Sequence, residues 1–332
     1  MCTNFKHPTA ADGTSCVGRT MEFPNVLPWQ LGVLASNHEG VSAAGARART
    51  WTATYGVVGM SAFDTPQWLA DGMNTAGLSG HALYMPGHCA FVDPKNDGTD
   101  IGALELIGFV LGTCATTAEA KAALATCNVV NFQPEQVPVP LPLHIIFHDS
   151  DSCIVVEFHA EGMRVLDNPL QVATNAPYLE WHLENVTNFL GFSPNNPPPL
   201  EIGGSTFAPS SQGQGFRGLP ADGTSPSRFI RVLANVRFAT PPTDQKHAVM
   251  DTIRILHNYD IVPGNVVEDL GGGKSIPEVT MWSTVSNLTG QTYLYNTIDD
   301  PTWYEIDLRS LDFSKSRSAE FTTSGWFTSV TI

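Results

Sequence analysis

MCTNFKHPTAADGTSCVGRTMEF, residues 1–23 of this 332-residue chain, predicts a β-hairpin. Two strand-like segments, 2–7 and 15–23, are separated by a turn that contains an Asp-Gly pair, a common hairpin signal. Pairing of these strands brings the region around Arg19 beside Cys2. We therefore expect a guanidinium group next to a thiol at the start of the chain.

Cys2 is preceded by Met1 alone in this sequence. Removal of Met1, which is usual before a small second residue, would leave a thiol and a free α-amine on one residue. Because an α-amino group titrates at about pH 8, it can accept the thiol proton without a histidine. The alternative for an arbitrary Met-Cys start is an incidental cysteine on a frayed terminus. The motifs further along the chain favour the nucleophile.

The composition limits the classes of protein to consider. Hydrophobic residues make up 42% of the chain, enough for a large core in one domain or in two packed halves. The net charge of −15 argues against a nucleic-acid partner, which needs a basic surface. Neither a membrane span nor a signal-peptide pattern is present, so we expect a cytoplasmic protein. A periplasmic or secreted enzyme whose leader had been replaced by a start Met would have the same sequence.

No metal or cofactor site is predicted. The cysteines form no C-x-x-C pair, and we expect most of them to be buried, inert thiols. His144 and His148 are about 13 Å apart if they lie on one strand, too far to share a metal ion. The segment LGGGKS at 270–275 resembles a phosphate loop but has Glu268 at the position of the first glycine. It is predicted to be a mobile glycine loop.

The order of elements indicates a layered α+β domain. A turn is expected at 72–74, and Thr116 with Glu119 matches a capping box. The helix after the Pro/Gly-rich segment 190–224 is predicted to have Ser225 as N-cap and Pro226 as its first residue. Other strands are predicted over 31–36, 53–60, 77–85, 280–288, 291–297 and 302–308, with a β-meander over 141–168, and helices over 101–114, 116–127, 178–189, 225–238 and 243–257.

Five segments in one order carry a resemblance to a known family. They are MCT at 1–3, GRTME at 18–22, DGMNTAGLSGHALY at 71–84, TNAPYLEWH at 174–182 and GQGFRGLPADGTSPSRFIR at 213–231. In these segments the chain resembles the choloylglycine hydrolase family of N-terminal nucleophile enzymes, which includes bile salt hydrolase and penicillin V acylase. The resemblance implies a four-layer αββα sandwich, a single domain over 1–332, and hydrolysis of linear amides without a cofactor.

The resemblance also implies a set of site residues. Cys2 would be the nucleophile, and Arg19 would stabilise its thiolate. Asn175 would donate its side-chain amide to the developing oxyanion, a contact worth about 3 kcal/mol. Arg228 would lie close to the nucleophile on the first turn of a helix. Taken singly, the arginines could be structural ion-pair partners and Asn175 an Asx-turn.

Two positions depart from the family pattern or choose between its branches. Glu22 stands where the family usually has aspartate, so either the backbone compensates for the extra methylene or activity is reduced. Tyr84 stands where bile salt hydrolases typically have asparagine and penicillin V acylases tyrosine, which favours the acylase branch. Bile salts and acyl-homoserine lactones remain alternative substrates. A non-catalytic binding protein, suggested by Glu22 and Met1, is an alternative of another class.

The substrate pocket and the assembly are also predicted from the resemblance. Loops at 22–29, 60–66 and 130–141 flank the family's site, and here their side chains suit an apolar acyl group, although core packing is the alternative for each. The segment 190–224 resembles the family's assembly arm, which predicts a homotetramer. The residues predicted to bind the acyl group are Phe23, Leu27, Trp29, Met60, Phe63 and Phe132.

Overall fold

The computed structural model describes residues 1–23, 27–132, 134–135, 137 and 141–324. The helices are Leu106–Thr113 (α1), Thr117–Leu124 (α2), Leu179–Asn185 (α3), Ser225–Phe238 (α4) and Gln245–Leu256 (α5), with short 3-10 turns at Ala103–Glu105, Val186–Phe189 and Gln214–Phe216. The strands are Cys2–Lys6 (β1), Cys16–Phe23 (β2), Trp29–Leu34 (β3), Glu39–Val41 (β4), Thr50–Thr52 (β5), Val57–Ala62 (β6), Thr65–Asn74 (β7), Ser79–Tyr84 (β8), Asp100–Gly102 (β9), Asn128–Val130 (β10), Leu143–His148 (β11), Cys153–His159 (β12), Gly162–Asp167 (β13), Val172–Ala173 (β14), Leu200–Ile202 (β15), Ser205–Phe207 (β16), Val267–Gly271 (β17), Lys274–Pro277 (β18), Val279–Asn287 (β19), Thr292–Thr297 (β20), Asp300–Asp307 (β21) and Arg317–Ala319 (β22).

The predicted N-terminal hairpin forms the middle of a six-stranded sheet with the order β14-β1-β2-β19-β20-β21. Strands β1 and β2 are antiparallel, with Cys2 opposite Met21 and Asn4 opposite Arg19. Side chains alternate between the two faces of a strand, so Cys2 and Arg19 lie on the same face as diagonal neighbours. This register brings the guanidinium group to the thiol.

A second sheet of eight strands has the order β13-β12-β11-β8-β7-β6-β3-β22. Strand β8 of this sheet packs on β1 and β2 of the first sheet. Helix α1 covers the outer face of β7 and β8, whereas α4 and α5 cover β1, β2, β14 and β19. The layers therefore follow the order helix, sheet, sheet, helix, which confirms the four-layer αββα prediction.

One close approach within the second sheet requires glycine. A Cβ atom on Gly59 would lie 2.0 Å from the carbonyl oxygen of Asp71 on the neighbouring strand. The pairing runs on to Val57 opposite Asn74, so β7 continues through the turn that was predicted at 72–74. That prediction is wrong because the chain turns three residues later, where Gly77 has a φ of +89°.

The helix starts differ from the predictions by small shifts. The predicted helix over 101–114 begins only at Leu106, after the short strand β9 and a 3-10 turn. Thr116 caps α2 as predicted, with its hydroxyl accepting the Glu119 N–H at 3.2 Å. Thr224, not Ser225, is the N-cap of α4. The Ser225 hydroxyl is engaged elsewhere, because it accepts the backbone N–H of Asn175 at 2.9 Å.

Two segments predicted to be irregular contain hairpins. The Pro/Gly-rich segment 190–224 includes the β15–β16 hairpin, whose residues are all exposed. LGGGKS at 270–275 belongs to the β17–β18 hairpin, in which Gly272 and Gly273 adopt positive φ angles of 63° and 77°. These glycines form a tight turn rather than a mobile loop. No helix in the described part of the chain is both long and apolar enough to span a bilayer.

Candidate active site

Cys2 is the first residue of β1 and is almost fully buried, with 1% of its surface exposed. Its backbone N–H donates to the Asn175 Oδ1 at 2.7 Å. Its Sγ lies 3.7 Å from the Nη2 of Arg19. The thiol is therefore fixed beside a cation, and burial strengthens the interaction between that cation and a thiolate.

Arg19 is completely buried between the two sheets. Its Nη2 donates to the Ala82 carbonyl oxygen at 2.6 Å, and its guanidinium carbon lies 4.3 Å from the centre of the Trp282 ring. The Nη1 is 3.9 Å from a carboxylate oxygen of Asp71. A backbone carbonyl, an aromatic face and a carboxylate thus hold the guanidinium group in place at the thiol.

Asp71 is the buried counter-charge, and it was missed as a site residue in the sequence analysis. Its carboxylate accepts hydrogen bonds from the hydroxyls of Tyr293 at 2.6 Å and Thr284 at 3.1 Å, and contacts the His81 Nδ1 at 2.5 Å. Burial alone would raise its pKa, but the opposing effects of His81, Arg19 and Tyr293 lower the pKa below its usual value. The feature of the sequence that could have pointed to Asp71 is its position at the start of the DGMN segment.

Asn175 is hydrogen-bonded through both ends of its side chain. The Oδ1 accepts from the Cys2 N–H and from the Arg228 Nη2 at 2.6 Å, while the Nδ2 donates to the Tyr84 carbonyl oxygen at 2.5 Å. Two donors at the oxygen and a carbonyl at the nitrogen fix the orientation of the amide. One N–H of the Asn175 amide remains for a further acceptor.

Two histidines fix the backbone around Asn175, and neither was predicted to do so. The Nε2 of His144 contacts the Thr174 carbonyl oxygen at 2.8 Å, and the Nε2 of His182 contacts the Asn175 carbonyl oxygen at 3.0 Å. Because a carbonyl oxygen only accepts, each Nε2 carries the proton. Burial lowers the pKa of both histidines to about 4, so both are neutral at pH 7.

Arg228 lies in the first turn of α4 and is 2% exposed. Its guanidinium donates to the Cys2 carbonyl oxygen, to the Thr3 hydroxyl at 2.8 Å and to Asn175. Its Nε donates to the Gly223 carbonyl oxygen at 3.0 Å. Burial lowers the pKa of Arg228, with the charges of Glu22 and other anions opposing that effect. The side chain therefore connects the helix to the nucleophile strand.

Glu22 contacts Met1 and Thr280, and among the described residues no hydrogen bond joins its carboxylate to Cys2. Its backbone N–H donates to the Met1 carbonyl oxygen at 2.8 Å, and its own carbonyl oxygen accepts from the Met1 amine at 2.7 Å. Its Oε1 accepts from the Thr280 hydroxyl at 3.0 Å. Burial raises the pKa of Glu22, and the Met1 ammonium and Arg228 partly offset the effect. The carboxylate thus has a hydrogen-bond partner in Thr280, and its predicted place at the nucleophile stays a prediction.

An apolar cavity opens beside the Cys2 thiol and encloses about 740 Å³ including its mouth. Tyr84 lies on its wall, with the ring packed edge-on against Phe23 at 5.9 Å between centroids. The described lining residues are Cys2, Met21, Phe23, Leu27, Trp29, Ala62, Phe63, Trp68, Leu69, Ala70, Ala82, Tyr84, Ala103, Leu104, Val137, Leu141 and Leu143.

Four of the residues predicted to bind the acyl group line this cavity, namely Phe23, Leu27, Trp29 and Phe63. The other two are not among the described lining residues. Met60 is fully buried in the core between the sheets, and Phe132 packs against the lining residue Trp68 with 6.1 Å between ring centroids. Positions 24–26, 133, 136 and 138–140 of the predicted flanking loops lie outside the described residues.

Histidine, cysteine and carboxylate side chains do not cluster in groups of three or more that could hold a metal ion, as far as the described residues show. His148, considered with His144 as a metal pair, contacts the Asn4 Oδ1 through its Nε2 at 2.7 Å. Both histidines thus have hydrogen-bond partners within the protein.

Comparison with known proteins identifies the family. Residues 2–321 match the model of the linear amide C–N hydrolases, choloylglycine hydrolase family. A bile salt hydrolase/transferase of Clostridium perfringens is 30% identical over 93% of this chain and 92% of its own length. A penicillin V acylase of Pectobacterium atrosepticum is 22% identical over 89% of this chain and 77% of its own length. Overall similarity therefore does not support the acylase preference drawn from Tyr84.

The fold agrees with this assignment. The crystal structure of the C2A mutant of the conjugated bile acid hydrolase from Clostridium perfringens superposes with a TM-score of 0.86, at 26% identity and with complete coverage of both chains. The α+β architecture is thus that of the N-terminal nucleophile hydrolases. On the match over nearly its whole length, this chain belongs to the choloylglycine hydrolase family of linear amide C–N hydrolases.

Proposed function

We propose that this enzyme hydrolyses linear amides of an apolar, aromatic acyl group, with Cys2 as the nucleophile once Met1 has been removed. The observation that carries the proposal is the position of the Cys2 thiol, which lies on the wall of the apolar cavity and 3.7 Å from Arg19. An acyl group in the cavity would put its carbonyl carbon at the sulfur. The amine half of the substrate would then lie outside the cavity.

In the first half-reaction, the Cys2 sulfur attacks the carbonyl carbon and its proton passes to the free α-amine. The same amine then protonates the leaving nitrogen, the C–N bond breaks, and a thioester remains. In the second half-reaction, the α-amine takes a proton from water as the water oxygen attacks the thioester carbon. The C–S bond then breaks, the acid is released, and the protonated amine returns its proton to the Cys2 sulfur. The hydrogen bond from the Cys2 nitrogen to the Asn175 Oδ1 supports this role, because it would orient the lone pair of the amine.

The surrounding residues have separate proposed roles. Arg19 stabilises the thiolate, and the remaining N–H of Asn175 stabilises the oxyanion by about 3 kcal/mol. Arg228 holds the carbonyl oxygen of Cys2 and the Oδ1 of Asn175, and so positions both residues. Glu22 is assigned no proton-transfer step, because its carboxylate hydrogen-bonds to Thr280.

The aromatic lining supports an acyl preference like that of a penicillin V acylase. Phe23, Trp29, Phe63 and Tyr84 give the cavity flat walls that suit an aryl group. A second candidate is hydrolysis of conjugated bile acids, which the higher identity to bile salt hydrolases favours. The two candidates differ in the size and shape of the acyl group.

The acyl preference can be measured with amides that share ethanolamine as the amine half and carry phenoxyacetyl, straight-chain acyl or cholyl groups. We expect the highest kcat/KM for phenoxyacetyl, at least tenfold above cholyl. The reverse order would favour the bile acid candidate. Replacing Tyr84 with Asn should reduce the preference, whereas Phe132→Leu, at a residue outside the described cavity lining, serves as the matched control.

The nucleophile can be tested on protein whose loss of Met1 has been verified by intact mass. Cys2→Ala and Cys2→Ser should form no acyl-enzyme that mass spectrometry can detect after a rapid acid quench. Cys127→Ala is the matched control, because this half-buried thiol lies outside the cavity lining. Hydrolysis that survives in both Cys2 variants would exclude the mechanism.

We also propose that the enzyme is a homotetramer that uses the segment 190–224 as an assembly arm. The exposed apolar side chains of Leu200, Ile202 and Phe207 on the β15–β16 hairpin support self-association through this segment. Sedimentation equilibrium of the wild type and of a variant with all three replaced by serine tests this. A wild-type monomer would exclude the assembly.

A further inference from the structure

We infer that removal of Met1 opens a binding site for an ammonium group beside Cys2, and that preferred substrates carry a second, positively charged amine on their amine half. Acyl derivatives of short diamines have this chemistry. The inference rests on the proposed function of Cys2 and adds the chemical class of the leaving group.

The first observation is that an ammonium group already occupies this position. The Met1 amine donates to the carbonyl oxygen of Glu22 and to a carboxylate oxygen of Glu278, each at 2.7 Å. The pair is largely shielded from water, since the Glu278 side chain is only 11% exposed. A carboxylate and a carbonyl oxygen at hydrogen-bonding distance are suitable acceptors for a primary ammonium.

The second observation is a buried carboxylate oxygen without a partner. Glu22 is 1% exposed, and its Oε2 makes no hydrogen bond of good geometry, with the Thr20 hydroxyl as the neighbouring side-chain donor. No Lys or Arg side chain of the described residues forms an ion pair with Glu22 or Glu278, and the Met1 amine is the cation that Glu278 binds. Buried carboxylates are costly without a partner. Loss of Met1 would therefore remove the ion-pair partner of Glu278 and one of the two cations that oppose the raised pKa of Glu22.

Arg228 is close to both carboxylates but is engaged elsewhere. Its nitrogens donate to Gly223, Cys2, Thr3 and Asn175. Electrostatic attraction between Arg228 and the acidic side chains remains, but the hydrogen-bonding positions on Glu22 Oε2 and Glu278 Oε2 are left to a donor from outside. An ammonium group fits these positions, whereas a carboxylate or sulfonate would face two buried anions.

The position of the site assigns it to the amine half of the substrate. Neither Met1, Glu22 nor Glu278 lines the apolar cavity, so the ammonium position lies on another side of Cys2. It is one residue away from the Cys2 nitrogen, at most about 3.6 Å along the chain. The Met1 side chain extends towards Gly223, where a Cβ would lie 3.7 Å from the Met1 Cε. Its removal leaves room for a short diamine.

The competing occupant is the ammonium form of Cys2 itself. The Cys2 nitrogen already has an acceptor in Asn175, at 2.7 Å. If it nevertheless turned to Glu278, this carboxylate would affect the hydrolysis of every substrate alike. A substrate ammonium would make the effect of Glu278 depend on the charge of the amine half, which separates the two cases.

The test uses enzyme without Met1 and phenoxyacetyl amides of three small amines: ethylenediamine, which is cationic, ethanolamine, which is neutral, and glycine, which is anionic. We expect kcat/KM to fall in that order, with at least a tenfold advantage of the cationic over the neutral amide. Glu278→Gln should remove this advantage and improve hydrolysis of the anionic amide. Glu305→Gln, which removes an exposed carboxylate on β21, is the matched control and should change nothing.

Equal kcat/KM for the cationic and neutral amides would overturn the inference, and so would an equal effect of Glu278→Gln on all three. In both cases Cys2-dependent hydrolysis of the neutral amide would leave the proposed function intact. Hydrolysis of none of the amides would overturn both. If Glu278→Gln does not fold, as judged by its thermal melt, inhibition of the wild type decides: ethylenediamine should compete with substrate more strongly than ethanolamine, and equal inhibition would refute the site.

Discussion

Replacing His144 or His182 with glutamine should change how the stability of the protein depends on pH. Both histidines are buried, and burial lowers their pKa from the ordinary 6.5 to about 4. Between these values the unfolded chain binds a proton at each position and the folded protein does not. The free energy of unfolding therefore falls as the pH is lowered from 6.5 to 4. The stability that depends on each histidine being neutral is fully present above pH 6.5.

The magnitude follows from the two pKa values. A difference from 6.5 to about 4 corresponds to about 3.4 kcal/mol for each histidine. Glutamine does not titrate, and its amide N–H is placed to keep the hydrogen bond to the Thr174 or Asn175 carbonyl oxygen. Each variant should therefore gain about 2.8 kcal/mol relative to the wild type when the pH falls from 7 to 4, because at pH 4 the folded site is half protonated.

Urea unfolding at a series of pH values between 7 and 4 measures this difference. Comparing each variant with the wild type at the same pH cancels the carboxylates that titrate in both proteins. His257→Gln is the control, because this histidine is exposed on the surface. If the gap between variant and wild type stays constant across the range, the two buried histidines are not the neutral supports of Asn175 that the structure describes.

Three further changes test the packing behind the site. Asp71→Asn removes the carboxylate beside Arg19 and should lower the free energy of unfolding by about 3–5 kcal/mol in calorimetry, because it leaves a buried cation without its counter-charge; a change below 1 kcal/mol would contradict this. Gly59→Ala should cost about 3 kcal/mol or prevent folding, since its Cβ would meet backbone at 2.0 Å, and an unchanged melting temperature would refute the close approach. Thr116→Ala should cost about 1 kcal/mol in urea unfolding through the lost cap to Glu119, whereas a stability equal to that of the wild type would show that the cap contributes nothing.

The N-terminal hairpin could be predicted because its signals are local. The alternation along the two strands and the Asp-Gly turn fix the register, and the register alone brings Arg19 to Cys2. The order of strands and helices along the chain also comes from local signals, and it predicted the layered α+β class. Asn175 and Arg228 were found only through the resemblance, since nothing local distinguishes them from an Asx-turn and an ordinary helix arginine.

The remainder depends on contacts between residues far apart in sequence. Asp71 becomes a site residue because two sheets pack face to face, which no local pattern reports. Met60 was assigned to the pocket because an apolar side chain has the same appearance in a sequence whether it lines a cavity or fills a core. The role of His144 depends on its Nε2 reaching the Thr174 carbonyl oxygen, thirty residues away in the chain.

The burial of Cys2 at the first position of a central strand has a practical consequence for producing the enzyme. Any residues fused ahead of it would have to pass through the narrow space that Met1 fills, between Glu22 and Glu278. An affinity tag at that end would keep the Cys2 nitrogen in a peptide bond and so block the proposed base. Purification handles belong at the other terminus, and recombinant material should be judged first by whether its leading methionine has been cleaved.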